Sequence, residues 1–145
     1  MIEHVNRNAS LTRTLATVTT AGAVSATQTT GVPIPDAPNG VVFVLDVTSA
    51  ATDVGDTLDV KVQTTLDGSA WIDVCYFTQV LGNGGAKRHV GKICASTAVT
   101  MFENGTALTA GNVRHILGNQ YRVSYVVVDA DADSAFTFTV TATPL

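Results

Sequence analysis

At 145 residues the chain suffices for one domain with a substantial hydrophobic core. It is 46% apolar and only 14% charged, against about 25% charged in ordinary globular chains. A net charge of −4 and a pI near 5.1 argue against nucleic acid as the main partner. A duplex-binding module carries a basic stripe, and the densest basic cluster here is Lys87-Arg88-His89. No stretch approaches the roughly 18 apolar residues of a transmembrane helix.

The opening Met1 to Asn8 lacks the charged region and apolar run of a signal peptide, so cytosolic synthesis and assembly are expected. Leu11, Leu15 and Val18 would line a short helical face, but the Thr-rich composition favours strand or extended arm. A Thr, Ala, Ser and Gly stretch follows from Thr19 to Gly31. Pro33, Pro35 and Pro38 then exclude helix and central strand up to Gly40. Residues 1–40 are therefore expected as an N-terminal arm with a Pro-rich connection, and residues 41–145 as the folded body.

Val41 to Val47 reads as a buried strand. In Thr57 to Thr65, Leu58, Val60 and Val62 face one side and Asp59, Lys61 and Gln63 the other. Asp67-Gly68 marks a hairpin turn, with Trp71 to Val80 as the return strand. Gly82 to Gly85 is a further turn before a strand over Lys87 to Cys94. Ser96 to Asn119 is less regular, with one helical turn expected near Asn112 to Leu117. Tyr121 to Val128 and Ala135 to Thr143 read as a final hairpin. About seven or eight strands with turn signals between them predict an all-β antiparallel sandwich, jelly-roll-like.

No residue set for catalysis stands out. His4, His89 and His115 are far apart, and no Ser sits in a G-x-S-x-G elbow. Cys75 lies in a strand beside Tyr76 and Phe77, like a core thiol. Cys75 and Cys94 are expected as reduced thiols, with a cross-strand disulfide as the alternative if their strands are neighbours. Asp129, Asp131 and Asp133 present alternate carboxylates, the pattern a calcium loop uses. They lack the following Gly and distal Glu, so a solvated hairpin tip is the preferred reading. Asp53 and Asp56 flank Gly55 and would suit a glycosidase pair, but turn capping explains them better. Trp71, the single Trp, is expected at the hairpin flank or in the core, and Tyr121 and Tyr125 in the core. No catalytic, cofactor or metal residue is assigned.

Several segments carry a resemblance: Val44-Leu-Asp-Val-Thr48, the strand Thr57 to Thr65, Asp67 to Val74, Phe77-Thr-Gln-Val80, Gly118 to Val123 and Phe136-Thr-Phe-Thr-Val140. Over residues 40 to 143 this pattern resembles small structural proteins of the virions of tailed bacteriophages. The resemblance implies a capsid decoration or cement protein bound to the major capsid protein, commonly as a homo-oligomer such as a trimer. A head–tail or tail component is the neighbouring alternative. The contact arm would then be Met1 to Gly40, and the Lys87 to Asn119 region departs from the pattern. A carbohydrate-binding sandwich on the virion surface is the reading from a different class.

Overall fold

Period-two alternation of inward and outward side chains, rich in β-branched Val and Thr, runs through residues 41–47, 57–64 and 137–144. A computed structural model describes residues 11–129 and 135–145. Eleven strands follow in order: β1 (Arg13–Thr19), β2 (Val24–Thr27), β3 (Val32–Pro33), β4 (Gly40–Ser49), β5 (Thr57–Thr65), β6 (Trp71–Tyr76), β7 (Val80–Leu81), β8 (Lys87–Cys94), β9 (Asn112–Val113), β10 (Gln120–Val128) and β11 (Thr137–Pro144). They form two antiparallel sheets, a β-sandwich.

The four-stranded sheet has the order β1-β11-β4-β8, and the second sheet runs β2-β10-β5-β6-β9, with β3 beside β10 and β7 beside β5. Setting aside the two-residue strands β3, β7 and β9 leaves eight. Numbered one to eight along the chain, these pair as 1-8-3-6 and 2-7-4-5. That connectivity is the jelly roll, in which successive strands mostly change sheet.

The interior comes from the inward rows of both sheets. Val41, Phe43, Leu45 and Val47 of β4 are fully buried, as are Phe138, Val140 and Ala142 of β11. They meet Leu58, Val60 and Val62 of β5 and Tyr121, Val123 and Val127 of β10. Phe43 and Tyr121 bridge the sheets with ring centroids 5.4 Å apart, and Tyr125 meets the Phe138 ring edge-on at 5.4 Å. Each such aromatic or aliphatic side chain adds roughly 1.5–3 kcal/mol by leaving water.

Four sequence expectations need correction. The first is the arm. From Arg13 onward the segment is part of the body, because β1 pairs with β11 while β2 and β3 pair with β10. Leu15, Ala16 and Ile34 join the core, and Pro33 is accommodated in a two-residue pairing that starts an edge. Only residues 1–10 of the expected arm lie outside the described residues.

Second, β10 and β11 are not a hairpin but lie in opposite sheets. Both strands present one apolar row, and facing rows across the interior bury them as well as adjacent rows in one sheet would. Third, the alternative of a cross-strand disulfide fails: Cys75 and Cys94 lie on β6 and β8, which belong to different sheets, and both thiols are free, as the expectation of reduced thiols has it. Fourth, Asn112 and Val113 pair with Tyr76 and Cys75 as strand β9, not as a helical turn. The expected return strand from Trp71 to Val80 is interrupted over residues 77–79, although the Phe77 N–H still donates to the Val60 carbonyl at 3.0 Å.

Candidate interaction surface

Register places threonine after threonine on the outer face of the four-stranded sheet. On β11, Thr137, Thr139, Thr141 and Thr143 alternate with the buried Phe138, Val140 and Ala142. On β1, Thr14, Thr17 and Thr19 lie opposite Thr141, Thr139 and Thr137. Just before β1, Thr12 shares a hydroxyl–hydroxyl hydrogen bond of 2.8 Å with Thr143. The rows continue onto β4 and β8: Thr141 meets Val44 and then Val90, while Thr139 meets Asp46 and then Arg88. Thr143 leads to Val42 and Lys92 in the same way.

This face is therefore low-relief and nearly uncharged over β1 and β11, with charge gathered at the β8 side. Threonine and valine are stiff at χ1, so ordering them against a partner costs little side-chain entropy. Each threonine offers a methyl and a hydroxyl, which suits a mixed apolar and hydrogen-bonded protein contact.

The outer face of the other sheet is built differently. Asp59 accepts from the Tyr76 hydroxyl at 3.1 Å and from Gln79 Nε2 at 2.9 Å. Asp73 accepts from Lys61 at 3.4 Å, Gln63 Nε2 at 2.8 Å and the Leu108 N–H at 3.3 Å. Arg122 Nε donates to Gln63 Oε1 at 2.8 Å, and its guanidinium lies 4.1 Å over the Trp71 ring. Lys61 sits 4.7 Å over the Tyr76 ring. Burial, and then the negative charge of Asp59, push the Tyr76 hydroxyl above its ordinary pKa. The network satisfies itself, and Arg122 covers a face of Trp71 that a sugar would need. Trp71 also closes on the backbone at Gly31, where an added Cβ would come within 2.8 Å of Cη2.

The remaining candidates separate in space. Burial pushes the Cys75 thiol up to about 12, so no thiolate nucleophile exists there at neutral pH. His115 is committed through Nδ1, which accepts the Cys94 N–H at 3.0 Å. His89 is half-buried on β8, and His4 lies outside the described residues. Asp53 and Asp56 form a turn in which the Asp56 N–H donates to the Asp53 carbonyl at 3.4 Å. Asp56 is buried, and its carbonyl accepts from Gly82, so the pair closes a corner rather than opening a cleft. Asp131 and Asp133 lie outside the described residues, while Asp129 follows the end of β10 and lies beside Gly22. Among the described residues, no three His, Cys, Asp or Glu side chains converge as metal ligands. None of their helices is long and apolar enough to cross a membrane.

The segment from Ala95 to Asn119 packs over the β6 side. Phe102 lies under the Arg114 guanidinium at 4.0 Å, and Met101 is 95% exposed. A groove of about 320 Å³ runs between residues 98–102, Leu108 and His115. Sequence reasoning overlooked the threonine face, although Thr at every second position from 137 to 143 was its visible sign. The chain matches no family model, no curated protein and no solved structure.

Proposed function

We propose that this chain is a structural protein of a virion, a decoration or cement protein that stabilises a bacteriophage capsid by binding its major capsid protein. The observation that carries the reading is the threonine and valine face of the four-stranded sheet, stiff, low in relief and nearly uncharged. It supports a role performed by contact rather than by reaction. The strand pattern of the sequence and the jelly-roll connectivity agree with it as analogies of fold, which by themselves fix no function. Assembly in the host cytoplasm and self-association, as a trimer for example, belong to the same proposal, and a head–tail or tail position is its nearest variant.

A stable contact needs about 1,200–2,000 Å² of total buried surface. The face and its rim are the place to look for it, because the opposite face spends its polar groups on one another. Carbohydrate binding is the weaker reading, since Trp71 and Tyr76 each have a cation over the ring.

The test is co-sedimentation with capsids that lack the protein, followed by thermal challenge. Saturable binding and a raised capsid melting temperature are expected, both lost when Thr139 and Thr141 are replaced by Lys. Association with tails instead would move the position within the virion. Absence of any binding to virion parts would overturn the proposal.

A further inference from the structure

We propose that the open edge of β8 is a docking rail for an extended, acidic segment of a partner protein, added as a fifth strand to the four-stranded sheet. Strand β8 ends that sheet, with β4 on its only paired side. The ladder parity follows from the bonds at its end. The Ala95 N–H donates to Asn39 on the β4 side, whereas the Cys94 N–H points away and is capped by His115. Residues 87, 89, 91 and 93 therefore bond to β4, and Arg88, Val90 and Lys92 direct their N–H and C=O groups outward. No described residue satisfies those outward groups. Val90, the central residue of the rail, is 66% exposed.

Charge decides the occupant. Lys87, Arg88 and Lys92 stand on this one strand of a chain whose net charge is −4. None of them forms an ion pair with a described residue. A second copy pairing β8 with β8 about Val90 would set Arg88 opposite Lys92 of that copy, and like charges facing each other oppose pairing. Edge lysines and arginines thus discourage self-association while matching a strand of opposite sign. The outward order Arg88, Val90, Lys92 calls for an acidic, an apolar and an acidic residue at alternate positions. The intervening side chains would be small. They face a cleft of about 90 Å³ between Tyr76, Thr78, His89 and Asn112. Backbone pairing would supply the binding energy and the charge pattern the selectivity. This inference goes beyond the capsid reading, and its assay needs no capsid.

The probe is a blocked synthetic peptide alternating glutamate and valine, compared with its lysine and valine counterpart, against the full chain. The expected result is binding of the acidic peptide only, weakened by salt, with new hydrogen-exchange protection at the amides of Arg88, Val90 and Lys92. Val90→Pro removes the central donor without touching the β4 ladder and should abolish binding. Should that variant fail to fold, the pair Arg88→Glu and Lys92→Glu keeps the proposal testable: preference should swing by about tenfold or more toward the lysine peptide. Equal binding of both peptides, protection at other amides, no binding of either, or duplex DNA binding at the same strand would each overturn it.

Discussion

Asp73 and Arg114 are joined through the backbone, not as an ion pair. Arg114 Nη1 donates to the Asp73 carbonyl at 3.1 Å and to the Thr106 carbonyl at 3.1 Å. The Asp73 carboxylate turns instead to Lys61, Gln63 and the Leu108 N–H. One nearly buried residue on β6 thereby ties the irregular segment Ala95 to Asn119 to the seven-stranded sheet.

Replacing Asp73 with Ala should therefore do two things. It leaves Gln63 and the Leu108 N–H without their acceptor, at a cost of about 1–3 kcal/mol in unfolding free energy. It should also speed proteolytic cleavage between residues 98 and 108, while a surface change such as Ser69→Ala leaves cleavage unaltered. Denaturant titration and limited proteolysis measure these effects. Unchanged cleavage would mean the segment is anchored elsewhere.

The Asp67 turn predicts a pH effect. Its carboxylate accepts from the Ala70 N–H at 2.8 Å and the Ser69 N–H at 2.9 Å, which with Thr65 hold its pKa down to about 2 from 3.8. A depressed folded pKa contributes stability above the unfolded value, and that contribution is lost as pH falls from about 4 toward 2. Asp67→Asn keeps an acceptor oxygen without the titration. Acid unfolding of that variant should show less pH dependence in this window, read by circular dichroism.

Thiol labelling separates the two cysteines. Cys75 is buried with its thiol pushed up to about 12, and Cys94 is half-buried at the end of β8. At pH 8 the native protein should take up at most one equivalent of reagent, at Cys94, and two after unfolding. Mobility should be identical with and without reductant. Labelling of Cys75 at the rate of Cys94 would contradict its burial.

Phe43 should be the costliest single truncation. It is fully buried and bridges to Tyr121 across the sandwich. Phe43→Ala should lower stability by about 3–5 kcal/mol, whereas Thr139→Ala on the outer face should stay within about 0.5 kcal/mol. Chemical denaturation compares them directly.

Strand positions were legible because burial follows the period-two pattern: Leu58, Val60 and Val62 inside, Asp59, Lys61 and Gln63 outside. What that pattern leaves open is which sheet a strand joins, since an inward row is equally well buried from either side. Hence β10 and β11 read as a hairpin, and the alternative of neighbouring strands for Cys75 and Cys94 stayed open. Thr14 and Thr17 looked like arm residues because edge strands carry weak apolar signals, yet their pairing with β11 puts them in the body. The interaction face stayed hidden for the same reason, being assembled from β1 and β11 at opposite ends of the chain. The β8 edge needed the ladder parity, which only the paired structure supplies.

The jelly-roll connectivity also governs how the chain reaches this state. Of the eight long strands, only β5 and β6 pair with a neighbour in sequence, across the turn at Asp67. Every other ladder, β1 with β11 above all, joins segments far apart along the chain and must first close a long loop. Such contact order slows folding to roughly milliseconds to seconds without weakening the final structure. The β5–β6 hairpin is the one piece of this architecture that can form before the rest of the chain has been brought together.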